Sequence, residues 1–293
     1  MSSTEIDEDG EPVWSCQEGS ELPGRHLALE RLGLGHRYET WLVWSVRLWC
    51  PAVLKLPRPH EVERLSTREA LEREVRALSG IVHPGLPRLI DDGTAESLPY
   101  IVIEYIDGPA LDECIEDDGP LQPMEAALLG VQLLSAVAAL HTRGLVHLDL
   151  KPANILLSDG KPILVDFGFA YPIGSPQRKG FPSGTEGYSA PEQVACQPVS
   201  TAMDVYGVGA VLHESLTGHP PGEGGTRIPS MLEAFLDPDP GRRPDTTTAA
   251  LMLARQVPPQ HRPWPEWADR YLTAPETALA GPADFPKGPM LGR

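Results

Sequence analysis

The sequence predicts an α+β protein of two unequal lobes: a small antiparallel β-rich lobe carrying one helix, then a larger, mainly helical lobe. Three observations point there. Strand-like segments crowd the chain before residue 106, and helical periodicity dominates from 107 to about 256. The 293 residues suffice for two lobes, each with its own core.

Residues 1–25 are acidic and Gly/Ser-rich and are expected to be disordered. They contain no apolar run of the signal-peptide kind. The first lobe, 26–106, opens with HLALERLG, where Leu27 and Leu29 alternate, and continues with WLVWSV (41–46) and PAVLKL (51–56). Residues 66–79 read as a helix: Ser66 with Glu69 suggests a capping box, Leu71, Val75 and Leu78 form one face, and Gly80 ends it. YIVIEYI (100–106) is a β-branched and aromatic strand that breaks at Asp107-Gly108.

The second lobe, 107–256, holds a long apolar helix over about 124–142, stopped by Gly144. ANILL and KPILVDF read as two strands joined at Ser158-Asp159-Gly160. A Gly/Pro/Ser-rich loop covers 171–187, a helix covers 202–217, and another lies near 246–256. The tail, 257–293, is Pro-rich; Trp264 and Trp267 are expected to pack on the helical lobe rather than bind a partner.

A hydrophobic fraction of 41% and a charged fraction of 22% describe a soluble globular chain. The net charge of −17 argues against nucleic acid or an anionic membrane as partner. The cysteines (Cys16, Cys50, Cys114, Cys196) have no CxxC spacing, so neither a zinc site nor a disulfide framework is indicated. The richest apolar stretch, 126–140, is short for a membrane span and reads as a buried helix. A cytoplasmic location follows as the expectation.

The chemistry concentrates in VHLDLKPANILL (146–157), which sets a histidine, an aspartate, a lysine and an asparagine inside one apolar run. Buried polar groups need partners. With Asp166 after the next strand, Asp149 and Asn154 supply oxygen donors of the kind Mg²⁺ takes beside phosphates. Upstream, Gly33 and Gly35 in LGLGH would let backbone N–H groups approach phosphate oxygens, although a GxG by itself reads more readily as a plain turn. Glu74 lies on the apolar stripe of its helix, so it is either solvated at the stripe's edge or paired, with Lys55 of AVLKL the candidate.

Together these residues resemble the eukaryotic-like (Hanks-type) serine/threonine protein kinases, of the bacterial soluble type, over roughly residues 26–256. The resemblance implies the bilobal protein-kinase fold with its helix C, ATP and Mg²⁺ (or Mn²⁺) as cofactors, and ATP and a protein substrate as partners. It implies that Gly33 and Gly35 belong to the nucleotide loop, that Lys55 holds the α/β-phosphates, and that Glu74 orients it. Glu104 and Ile106 are implied to be ATP-binding positions. Asp149 is implied as the base toward the acceptor hydroxyl, Lys151 as the cation on the transferring phosphoryl, and Asn154 and Asp166 as metal ligands. His147, Asp204 and the pair Glu192–Arg243 would be structural supports. Two of only five lysines fall on Lys55 and Lys151, where a compact ammonium is required.

Four departures stand out. Tyr38 replaces the third glycine of the nucleotide loop. Leu148 replaces the arginine that meets a phosphorylated activation loop, so the chain is expected to act without that phosphorylation. Only 39 positions separate Asp204 from Arg243, a stretch in which the family places another helix. The tail carries no recognisable sensor or anchor. Two other readings remain open at this stage. One is a small-molecule kinase of related fold, which would lack the Ala190-Pro191-Glu192 motif; the other is a nucleotide-binding pseudokinase scaffold, which would lack Lys55, Asp149 or Asp166.

Overall fold

The computed structural model describes residues 4–180, 183–225, 227–269 and 272. The chain opens with a short hairpin, β1 (Thr4–Ile6) and β2 (Pro12–Trp14). The expectation of disorder over 1–25 is therefore corrected for the described part of that segment. Val13 is buried, and the Trp14 indole donates to Pro57 O at 2.8 Å, so distant residues supply the anchor that local composition lacks.

A six-stranded antiparallel sheet follows, made of β3 (Glu21–Leu22), β4 (His26–Leu34), β5 (Tyr38–Ser45), β6 (Cys50–Pro57), β7 (Leu89–Asp92) and β8 (Ile101–Glu104). Its order is β3-β4-β5-β6-β8-β7. Along β5, buried residues alternate with half-buried ones, as the period of a strand requires. Trp41 and Val43 join Leu22, Leu54, Leu56 and Val102 in the core of one face. Tyr38 and Val53 instead pack toward the main core, which includes Leu71 and Leu78 of helix α1 (Leu65–Leu78).

Helix α1 starts earlier than its sequence suggests. Its N-cap is Arg64, with no side-chain cap, so the Ser66/Glu69 capping box does not form. Thr67 Oγ1 instead donates to the buried Glu61 carboxylate at 2.6 Å.

The second lobe is built on α3 (Pro123–His141), with α2 (Leu111–Asp118) before it. Among the described helices α3 alone is long and apolar enough to cross a membrane, yet here it is a core helix. Its Leu129, Leu133, Leu134, Val137 and Leu140 are buried, and it packs on α5 (Thr201–Thr217) and α6 (Thr246–Ala254). Gly130 permits that approach: a methyl group there would overlap Leu253 of α6 and Leu212 of α5.

Between α3 and α5 run β9 (Leu145–Val146), β10 (Ile155–Ser158), β11 (Lys161–Leu164), β12 (Tyr171–Pro172) and the short α4 (Pro191–Val194). The β10–β11 hairpin turns at Asp159 and Gly160, both with positive φ (49° and 72°), the conformation of the favoured two-residue hairpin turn. Between α5 and α6 the described residues form only short 3₁₀ turns, at Ser230–Leu232 and Pro240–Arg242. Trp264 packs against the main core; the side chain of Trp267 and most of the tail lie outside the described residues.

The lobe is latched by Glu192 and Arg243, both buried. The guanidinium holds the carboxylate by two bonds (2.6 and 2.9 Å) and donates also to Ala202 O and Asp237 O. Removing one partner would strand a buried charge, so Arg243→Met is expected to cost about 3–5 kcal/mol. Urea denaturation measures this; with Glu192→Leu added, most of the loss should return, and a single-variant loss below ~1 kcal/mol would contradict the latch.

Candidate active site

Lys55 stands in β6, where the strand period turns it toward the space between the lobes. Its ammonium meets Glu74 Oε2 of α1 and Asp166 Oδ1, each at 2.9 Å. Glu74 is 1% exposed, so of its two sequence readings the paired one is correct. Burial works against the charge of Lys55, but Asp166 and Glu74 outweigh it and hold the ammonium above its usual range. Lys55 in turn holds the Asp166 carboxyl down at about 2. Burial pushes Glu74 up, opposed chiefly by Lys55.

The segment 147–154 joins β9 to β10. Leu148 and Asp166 both take positive φ (67° and 60°), a conformation that L side chains rarely adopt. Strain of this kind persists only where the surroundings impose it. Around Leu148 they do. Asp204, fully buried in α5, accepts from Leu148 N (Oδ1) and His147 N (Oδ2), each at 2.9 Å, and its Oδ2 also meets His141 Nε2 at 2.8 Å. Gln193 Nε2 donates to Leu148 O at 2.7 Å, so the peptide groups on both sides of Leu148 are pinned. Burial works to raise the Asp204 carboxyl, but the His141 bond and its other partners win and keep it below the usual range.

This scaffold presents three groups together. Asp149 Oδ1 accepts the Thr185 hydroxyl at 2.6 Å, and Lys151 Nζ donates to the same hydroxyl at 3.1 Å. Asn154 Nδ2 donates to Asp149 O (2.9 Å) and Asp149 Oδ2 (3.1 Å), which leaves the amide oxygen facing away from Asp149. Val165 N donates to Asn154 O at 2.9 Å, bringing Asp166 beside the segment that carries Asn154. His147 Nδ1 accepts from Asp149 N (3.3 Å), and its ring stands edge-on to Phe167, 5.0 Å between centroids.

The remaining sequence candidates are less engaged. Gly33 lies in β4, and Gly35, just past its end, donates its N–H to Tyr38 O at 2.9 Å, closing the loop between β4 and β5. Glu104 closes β8 and binds Arg88 through its side chain (2.9 and 3.1 Å); Ile106, half-buried, follows it between the lobes. Several contacts had no signal in the sequence. Besides His141 and Gln193, Arg73 of α1 donates to Gly168 O at 2.9 Å and lies over the Tyr171 ring, tying the helix to the segment after Asp166.

Leu148 is buried with Val146, Ala190, Val199 and Met203, with Tyr171 and Tyr206 against them. Apolar packing thus occupies the place where an arginine would wait for a phosphate. Backbone bonds between Gly174 and Val199 (2.7 Å) and between Val199 and Ser175 (3.0 Å) fasten the same segment.

A family model described as "Protein kinase domain" matches residues 32–245. The serine/threonine-protein kinase PkaA of Streptomyces coelicolor is 42% identical over 185 residues, covering 61% of this chain and 34% of that protein. The serine/threonine-protein kinases PknB of Mycobacterium leprae and Mycobacterium tuberculosis are 35% and 34% identical, over 68% and 71% of this chain. The chain spans about a third of the length of these curated relatives.

The charge balance at Lys55 sets a pH dependence. The folded-state pKa of Asp166 is depressed from 3.8, so its contribution to stability is present above that value and is lost as pH falls toward about 2. Asn tolerates the positive φ at this position. The stability difference between wild type and Asp166→Asn, from urea denaturation, should stay level between about pH 7 and 5 and shrink below about pH 4. A difference unchanged at pH 3 would contradict the pairing.

Proposed function

The chain belongs to the protein kinase family, and from that premise we propose that it is an ATP-dependent serine/threonine protein kinase, transferring the γ-phosphoryl group of ATP to a Ser/Thr hydroxyl. One observation carries the reading. A hydroxyl, that of Thr185, is held between the Asp149 carboxylate and the Lys151 ammonium at 2.6 and 3.1 Å. An acceptor hydroxyl entering beside it would meet the same two groups.

In this mechanism Asp149 accepts the hydrogen of the acceptor hydroxyl as its oxygen forms a bond to the γ-phosphorus. The bond from that phosphorus to the bridging oxygen breaks, and ADP leaves with the electron pair. Lys151 offsets negative charge on the transferring group, and Lys55, fixed by Glu74, positions the α/β-phosphates. The Asn154 amide oxygen and the Asp166 carboxylate are hard oxygen donors on adjoining segments and fit a magnesium ion. When bound, the ion would supply positive charge to offset that of the phosphates. Positioning and charge stabilisation supply most of the rate.

The Glu192–Arg243 latch supports a protein kinase over a small-molecule kinase of related fold. The joint presence of Lys55, Asp149 and Asp166 supports an enzyme over a scaffold. Four free cysteines suit a reducing compartment, and the domain is assigned to the cytoplasm. A protein is its partner; with a net charge of −17, nucleic acid and anionic membranes are not.

The test is transfer of labelled γ-phosphate from Mg-ATP to the chain itself and to a generic protein, with sites mapped by mass spectrometry. Asp149→Asn should lower the rate by about 10²–10⁴. Equal transfer in wild type and variant would refute the assignment. The apolar packing of Leu148 gives a second expectation: Ser175→Ala and Ser183→Ala, made singly, should keep activity within about twofold, the scale of a surface substitution. Thr185→Ala should lose most of it. Abolition by either serine variant would show that the segment does depend on phosphorylation.

A further inference from the structure

The nucleotide loop of this chain is fastened on both of its faces. Successive residues of β5 point to opposite sides, which sends Tyr38 toward α1 and Glu39 toward the N-terminal hairpin. The Tyr38 hydroxyl donates to Thr67 O, in the first turn of α1, at 2.6 Å. Its ring lies 5.0 Å from Lys55 Nζ, a cation–π distance. Burial pushes the Tyr38 phenol up to about 12, so it stays a donor at neutral pH.

On the other face Glu39 is fully buried. It accepts from Trp14 N at 2.7 Å and from Trp41 Nε1 at 3.1 Å. Arg58, also buried, completes the attachment. It donates to Gly35 O of the loop (3.3 Å) and to Pro12 O (3.4 Å), and it pairs with Asp7 at 2.5 Å. Residues 7–14, Arg58, Gly35, Tyr38 and Thr67 therefore form one connected path from the N-terminal hairpin, through the nucleotide loop, to α1.

We propose that Tyr38 is a positioning residue for nucleotide binding, holding the nucleotide loop to α1 above Lys55, with the N-terminal hairpin as its support. The proposal rests on the kinase reading above. A glycine at this position would leave the loop free, and nucleotide would have to order it on binding. Tyr38 orders the loop beforehand, and pre-organisation of this kind appears as affinity. It also holds the helix that carries Glu74, so the Lys55–Glu74 pair is assembled before nucleotide arrives.

The experiment compares wild type, Tyr38→Phe, Asp7→Ala and the double variant, all as full chains. Mg-ATP affinity is read by calorimetry, KM and kcat by phosphate transfer, and amide hydrogen exchange is followed in the nucleotide-free protein. Loss of one tethering hydrogen bond should weaken Mg-ATP binding by about three- to tenfold and raise KM to match, with kcat less affected. Exchange should quicken in residues 33–38 and 65–71 of Tyr38→Phe more than in the rest of the chain. Asp7→Ala should act in the same direction, and the double variant should fall short of the product of the two effects, because both act on one element. Unchanged affinity in Tyr38→Phe would overturn the proposal, as would tighter binding, which would make the side chain an obstruction. Independent effects of the two substitutions would overturn the role of the hairpin. Wild type that binds Mg-ATP yet transfers nothing would sink the kinase reading instead, and exchange in the free protein would still decide whether the tether exists.

Discussion

One ammonium group organises the molecule. Lys55 leaves β6 and meets a carboxylate from α1 and another from the segment after β11, so it fixes a strand, a helix and the second lobe relative to each other. Burying a lysine is tolerable only because both carboxylates reach it at 2.9 Å. Two carboxylates around one cation leave an excess negative charge, and Asp149 with Lys151 adds an ion pair without changing that balance. Under the proposed function a polyanionic nucleotide entering such a site would bring a divalent cation with it, and the oxygens of Asn154 and Asp166 are hard donors that would suit one.

The second constraint is backbone strain and what opposes it. Leu148 sits at φ 67° with a bulky side chain, a conformation costing on the order of 1–3 kcal/mol. Asp204 and Gln193 hold its flanking peptide groups, and its side chain is sealed among Val146, Ala190, Val199 and Met203. Next to this bend the buried Asp149 meets the Thr185 hydroxyl and the Lys151 ammonium. The buried carboxylate of α5 thus fixes the backbone next to Asp149 without touching its side chain.

Much of this was legible in the sequence, and the exceptions have physical reasons. The periodicities of β4 to β6, α1, α3 and α5 come from residues whose burial is decided locally, so pattern reading finds them. Lys55, Glu74, Asp149, Asn154 and Asp166 were picked out by their resemblance to the family's motifs, and the structure brings Lys55 to Glu74 and Asp166, and Asn154 to Asp149. The N-terminal hairpin was not, since its acidic composition describes a solvated tail. Its fold depends on Glu39, Pro57 and Arg58, which lie 25 to 51 positions away. Tyr38 was noticed as a departure, but its partner is a backbone carbonyl, which leaves no trace in sequence. The Ser66/Glu69 capping box misled for a related reason: Glu61, an upstream buried carboxylate, takes the Thr67 hydroxyl and draws the start of the helix back to Leu65.

Tyr38 and Leu148 share a logic although they lie in different lobes. Each stands where the resembling family has a residue suited to a movable joint: a glycine that lets the loop flex, or an arginine that grips a phosphate only while it is present. Here each joint is closed by groups that belong to the folded chain. Leu148 packs among Val146, Ala190, Val199 and Met203, and the Tyr38 hydroxyl donates to Thr67 O. A switch works only when its two states differ by a few kcal/mol, and an external event biases that balance. Permanent contacts at both joints add to one side of it.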